Sequence, residues 1–195
     1  MEKGIVGYFG YGSLVNRATH RTAIVDAVPA RLKGWVRCWV PRPEPRTHEV
    51  PLLSVRRCEG AATEGLLVFD RMENMPAVDE RERSYRRVPL TALDIDHDLE
   101  NLPDCPIHVY EVPGDESQSF GRQRIPLSYL DAVLQGFLAE HGEASVRRFI
   151  VETERFEIGI LDDRASPIYS RPVALSEAER AFFDEIIAHL PAVKP

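Results

Sequence analysis

At 195 residues the chain is long enough for one good hydrophobic core, and 44% apolar residues with ordinary glycine content point to a globular fold in one domain, 1–195. Its 31 acidic against 24 basic residues leave a net charge of -7, which argues against nucleic acid as a partner because phosphate contacts need clustered lysine and arginine. Three cysteines at spacings that fit neither a zinc knuckle nor a redox pair read as reduced thiols. The opening Met1-Glu2-Lys3-Gly4 leads into no long apolar run, so neither signal peptide nor membrane span is expected, and the expected compartment is the cytoplasm.

Residues 4–9 are apolar or aromatic and β-favouring, a first strand buried near the middle of the fold. The strand runs into Tyr8-Phe9-Gly10-Tyr11-Gly12-Ser13-Leu14. Glycine lets backbone approach a ligand and turns its N–H groups outward, so this stretch reads as a binding loop able to cradle an anion. A short helix over residues 15–24 would carry Leu14 and Val15 inward. Residues 25–40 read as two β segments meeting at a bend near Lys33-Gly34. Residues 41–51, with four prolines, form a loop and a candidate lid. Strands follow at 52–57 and 63–69 around a turn at 58–62. A helix over 72–83 then has Met75, Ala77 and Val78 inward, before a β segment at 85–90.

Residues 94–106 form a polar connector, 107–112 a further strand and 113–124 another loop. Pro126 opens an amphipathic helix in which Leu127, Leu130, Val133, Leu134, Phe137 and Leu138 recur at helical spacing, ended by Gly142. A second helix covers 143–154, and 156–172 is irregular. Ser176-Glu177-Ala178-Glu179 has the form of a capping box before a last helix carrying Phe182, Phe183, Ile186, Ile187 and Leu190. No internal repeat or long linker divides the chain.

Two stretches bear chemistry. Gly10 and Gly12 do not complete a dinucleotide fingerprint, because Val15 stands where the third glycine belongs and no acid follows about 20 residues on. Ser13 lacks the G-x-S-x-G setting of an activated nucleophile. The second stretch is Asp79-Glu80-Arg81-Glu82-Arg83-Ser84-Tyr85-Arg86-Arg87, where acids crowd the last turn of a helix. A solvated helix face explains Glu80 and, on spacing alone, is the simpler reading of the whole run. Glu82 is distinctive because the macrodipole disfavours an acid at a helix C-terminus, and dipole and burial together would raise its pKa toward that of a general base. Asp79 and Glu82 lie three apart on one helix face and cannot flank a glycosidic bond. The six histidines and Asp162-Asp163 fall at no metal-ligand spacing, so no metal is expected.

Together the glycine-rich first loop and the later acidic motif resemble the gamma-glutamylcyclotransferase-like family, including its ChaC branch, over about residues 5–142. The segment Tyr8-Phe9-Gly10-Tyr11-Gly12-Ser13 is similar to the family's glutamyl-binding loop, and Leu14 to its ChaC form. Asp79-Glu80-Arg81-Glu82, followed by Tyr85 and Arg87, is similar to the acidic motif, which implies Glu82 as the catalytic carboxylate. Pro126, Ser128, Tyr129 and Gly136 are similar to the helix that brings a substrate-contacting tyrosine, here Tyr129. The segment 41–51 does not match the stretch expected of glutathione-specific ChaC enzymes, and residues 143–195 have no counterpart, so they are expected as a C-terminal helical extension packed on the 5–142 core.

The resemblance implies an α+β fold, a small mixed β-barrel flanked by helices. It also implies a cofactor-free activity in which the α-amine of a γ-glutamyl compound attacks its own γ-carbonyl, giving 5-oxoproline and a free amine, amino acid or peptide. The expected partner is that small molecule; oligomeric state is open, and a binding or regulatory module on the same fold is the alternative.

Overall fold

The computed structural model describes residues 4–42, 50–113 and 119–190. Six strands, β1 (Ile5–Gly10), β2 (Asp26–Val40), β3 (Leu52–Arg71), β4 (Arg86–Leu90), β5 (Ile95–His97) and β6 (Ile107–Glu111), form one sheet in the order β4-β6-β1-β3-β2-β5. The sheet curls strongly into a half-barrel, and the fold is α+β. It is mixed: β1 runs parallel to β6, while the other pairings are antiparallel. A strand with a parallel neighbour is covered on both faces, which is why β1 is apolar at consecutive positions. Tyr8 and Phe9, pointing to opposite faces, are both wholly buried.

Four helices flank the half-barrel among the described residues: α1 (Met75–Arg81), α2 (Leu127–His141), α3 (Glu143–Glu152) and α4 (Glu177–Ile187). The apolar stripe of α2 puts Leu130, Val133, Leu134 and Phe137 into the core beside Tyr8 and Trp39. Val146 and Phe149 of α3 and Phe183 of α4 belong to that same core. Arg37 of β2 is buried between the rings of Phe137 and Phe149, 5.0 and 4.6 Å from their centroids, and donates to Glu64 O (2.7 Å) and Thr153 Oγ1 (3.1 Å). Glu154 extends this link, donating to Arg37 O (2.9 Å) and accepting from Trp39 N (3.1 Å), so the chain beyond α3 runs along β2. A pair of two-residue strands, β7 (Ile125–Pro126) and β8 (Ile160–Leu161), adds a second stitch. The capping box opens α4, with Ser176 Oγ accepting from Glu179 N.

Several expectations need correction. The turn at 58–62 is not a break between strands, because β3 continues through it alongside β2. The bend expected in β2 lies at Gly34 (φ +75°), which alone faces residues 58–61 of β3, so the ladder is kept by a bulge that Gly60 (φ +77°) accommodates. The helix over 72–83 is a 3₁₀ turn followed by the shorter α1, and Ala77 is exposed whereas Met75 and Val78 are buried. Residues 15–24 hold 3₁₀ turns at Ser13–Val15 and Arg17–Thr19 rather than an α-helix. The connector 94–106 contains β5, and the irregular 156–172 contains β8. Pro126 precedes the first turn of α2. The loops 41–51 and 113–124 lie partly outside the described residues; at their described ends Arg42 and Gln123 exchange two hydrogen bonds, of 2.9 and 3.1 Å.

Candidate active site

The loop that follows β1 and the C-terminal end of α1 line one cavity. Glu82 is the residue that caps α1, its N–H donating to Val78 O at 2.9 Å. Its side chain is only 12% exposed and lies 3.1 Å from Arg81 Nε. The same guanidinium donates to Ser13 Oγ (3.0 Å), Thr19 Oγ1 (3.0 Å) and Thr19 O (3.1 Å). Arg81 therefore ties the carboxylate to the glycine-rich loop. A planar fork with five donors makes this possible where lysine could not reach all four acceptors.

Tyr8, Tyr11, Gly12, Ser13, Leu14, Glu82 and Tyr129 share one cavity of about 770 Å³. Phe9 and Gly10 do not line it. The Phe9 ring lies beneath Gly65, where a Cβ would stand 2.7 Å from the ring, and Gly10 O would be 2.2 Å from that same Cβ. Both residues thus shape the strand end from below. Tyr11 is fixed by its hydroxyl, which donates to Tyr110 O at 2.6 Å, and Tyr85 by donating to Leu53 O at 3.0 Å. Tyr129 projects from the first turn of α2, its ring packed edge-on against Trp39 (5.9 Å) and Tyr169 (5.0 Å). Its hydroxyl lies next to the backbone of Ser13. A Cβ on Gly12 would lie 2.8 Å from that hydroxyl, so glycine here makes room for Tyr129. Gly136, about two turns further along α2, lets the helix touch the loop at Asn16, whose side chain donates to Ala132 O (2.9 Å).

Burial pushes the Glu82 carboxyl above the ordinary glutamate range, and the cations Arg81 and Arg171 offset only part of that rise. Burial raises the Tyr129 and Tyr11 phenols as well, so both stay neutral hydrogen-bonding groups. Burial lowers the His20 imidazole, which sits behind the loop with Nε2 2.9 Å from Leu14 O and Nδ1 3.4 Å from the Tyr8 hydroxyl. Asp79, by contrast, pairs with Arg87 and accepts from the Tyr110 hydroxyl at 2.7 Å, and the Arg87 bond holds it below the usual carboxylate range against the opposing effect of its burial. Two carboxylates one helical turn apart are thus shifted in opposite directions, and of the two Glu82 is the one shifted in the direction a general base requires.

The fold recurs in solved structures. It is similar to YkqA from Bacillus subtilis, with a TM-score of 0.60 at 19% identity, covering 76% of this chain and 54% of that one. It is similar to a gamma-glutamyl cyclotransferase, with a TM-score of 0.58 at 12% identity, covering 93% of this chain and 99% of that one. The chain has the gamma-glutamyl cyclotransferase-like fold. The human protein loc79017 shares it too, with a TM-score of 0.57 at 14% identity over 94% of this chain and 99% of that one. No protein-family model matches the sequence, and no curated protein matches it. No helix among the described residues is long and apolar enough to cross a membrane.

Sequence reasoning passed over several residues that the cyclotransferase-like fold brings to this cavity. Arg81 stands inside the acidic motif, and its position beside Glu82 was a usable signal. Tyr169 and Arg171 reach the cavity from a stretch with no periodicity, and nothing local marks them.

Proposed function

We propose that the protein is a γ-glutamyl cyclotransferase, releasing 5-oxoproline from a small γ-glutamyl compound. The observation that carries this reading is Glu82: a buried carboxylate with a raised pKa, joined through one arginine to Ser13 and facing the same cavity as Tyr129. In this reading the N–H groups around Gly12, Ser13 and Leu14 hold the substrate carboxylate or the developing oxyanion, with the Tyr129 hydroxyl next to Ser13. Glu82 accepts a proton from the α-ammonium, and the freed amine attacks the γ-carbonyl carbon. A C–N bond forms, the five-membered lactam closes, and the C–N bond to the departing amine breaks. The ammonium begins with three protons and the lactam nitrogen keeps one; the other two pass to the leaving nitrogen. Nucleophile and electrophile share one molecule, so the cavity's main task is to hold the chain bent, an effect worth ~7 kcal/mol or more. The chemistry needs no cofactor.

The test is 5-oxoproline release from a panel of γ-glutamyl amino acids, glutathione and γ-glutamyl amines, with Glu82→Gln as control. Release abolished by the substitution supports the reading. No release from any member, while 5-oxoproline still binds, would leave a binding module on this fold.

Two further results are expected. Gly12→Ala forces its Cβ against the Tyr129 hydroxyl, which Trp39 and Tyr169 prevent from yielding freely. Misplacement of this order is expected to cost roughly 10²-fold in turnover while the melting temperature stays within a few degrees, checked by steady-state kinetics and a thermal melt on the same sample. Arg81 favours ionised Glu82, so Arg81→Gln should raise the Glu82 pKa further. The base is active when deprotonated, and the acid limb of kcat/KM should therefore move to higher pH. A limb that stays in place or moves to lower pH in that variant would remove Glu82 as the titrating group.

A further inference from the structure

The charge lining the cavity is lopsided: Arg21, Arg42, Arg81, Arg83 and Arg171 against Glu80 and Glu82 among the described residues. Arg81 is engaged with Glu82, and Arg83 with Glu80 at 2.9 Å. Arg42 donates to Ser84 Oγ at 3.3 Å and Val50 O at 3.4 Å. Arg21 and Arg171 have no acidic partner within ion-pair distance among the described residues, and Arg171 Nε is buried without a hydrogen-bond partner. The hydroxyl of Tyr169, two residues earlier, is buried and unpartnered as well. Arg171 is close enough to Arg21 and Arg81 to repel both, and to Glu82 to attract it.

This arrangement is braced. Asp163 accepts from Ser128 N (2.7 Å), Ser128 Oγ (2.6 Å) and Ile168 N (2.8 Å), clamping the 163–168 segment onto the first turn of α2. Arg164 beside it pairs with Asp131 (2.7 Å) and Asp184 (2.5 Å). The strap that carries Tyr169 and Arg171 is thereby anchored one residue from Tyr129. The Arg171 Nε and the Tyr169 hydroxyl, buried without partners, are costly unless a ligand answers them, and the surplus of arginines lining the cavity makes an anion the fitting ligand.

A γ-glutamyl group carries one ammonium and one carboxylate. On the cyclotransferase reading, on which this inference rests, Glu82 faces the ammonium and the loop N–H groups face the carboxylate, which leaves the arginine pair unanswered. We propose that Arg21 and Arg171 form a second carboxylate subsite, so that the substrates are γ-glutamyl amino acids or peptides whose departing part carries a free carboxylate. Guanidinium and carboxylate match as planar forks. A γ-glutamyl amine with a neutral or cationic departing part leaves the arginines unpaired or adds repulsion, and is rejected on that ground.

The experiment compares 5-oxoproline release from γ-glutamyl-alanine and from its C-terminal amide, which differ in that charge alone. The wild type is expected to favour the acid by about 10- to 100-fold in kcat/KM, mainly through KM. In Arg171→Gln the acid-to-amide ratio should fall toward one, and Arg171→Lys should restore part of it. An equal rate on acid and amide in the wild type, or losses in Arg171→Gln that leave the ratio intact, would overturn the subsite. The same comparison with glutathione and its glycine amide separates a carboxylate next to the scissile amide from one a residue further out, by which pair shows the larger ratio. If no γ-glutamyl compound of the panel releases 5-oxoproline, the cyclotransferase reading falls, and calorimetric titration decides the subsite alone. Tighter binding of the acid that Arg171→Gln abolishes supports it; equal binding, or none, refutes it.

Discussion

Replacing Glu82 by glutamine is expected to reduce turnover of the preferred γ-glutamyl substrate by ~10²–10⁴-fold, the range that a positioned general base supplies. Glutamine keeps the volume and one acceptor for Arg81 but cannot take a proton from the α-ammonium, so KM should move far less than kcat. The same substitution has an opposite effect on stability. The folded state holds Glu82 above the ordinary glutamate range, so the native protein binds that proton more tightly than the unfolded chain does. Stability from this group is greatest below the unfolded carboxyl pKa and declines as pH rises through the folded one. Above both, the buried charge is a net cost, and Glu82→Gln removes it. The variant should melt above the wild type at neutral pH and lose that advantage in acid. Parallel melts at two pH values, with 5-oxoproline release on the same preparations, check both statements; a variant with wild-type kcat removes Glu82 from the chemistry.

Gly136→Ala is expected to destabilise the protein although it improves the helix. Alanine in place of a mid-helix glycine is worth about 1 kcal/mol in helix propensity. Here the new Cβ would stand 2.6 Å from Asn16 N and 2.7 Å from its Cα, and backbone cannot step aside as a side-chain tip can. Overpacking of this kind costs about 1–3 kcal/mol, and separating α2 from the loop also strains the Asn16 bond to Ala132 O. The clash therefore outweighs the propensity gain. A net loss near 1 kcal/mol corresponds to a fall of roughly 2–4 °C in melting temperature for a chain of this size. Because Asn16 lies three residues from Ser13, turnover should fall with it. A melting temperature at or above that of the wild type would show that the helix does not press on the loop.

What could be read in the sequence depended on how local the physics was. β1 was legible because burial on both faces makes Val6, Tyr8 and Phe9 apolar or aromatic, and α2 because its stripe repeats at helical spacing. The capping box at Ser176 was legible since both partners lie within four residues. The run 58–61 was misread because Glu59 and Gly60 suit a turn as well as a bulge, and only the partner strand on the far side decides between them. In the site, Glu82 stood out by violating a local rule at a helix end. Arg171 violates nothing locally. It reaches the cavity because Asp163 fastens a distant loop to Ser128, a pairing that no periodicity announces.

The threading of residues 153–171 along β2 and onto α2 has a consequence for how the protein comes to be made. The strands and α2 are synthesised first, yet their shared core lacks Phe149, Phe156 and Phe183 until the later segments emerge. A nascent chain stopped after α2 carries apolar surface with no cover and a cavity wall without Tyr169 and Arg171. Such long-range closure slows folding and leaves the half-made molecule a natural client for chaperones. Activity should therefore arise only after synthesis has passed the strap, with no partially competent intermediate on the ribosome.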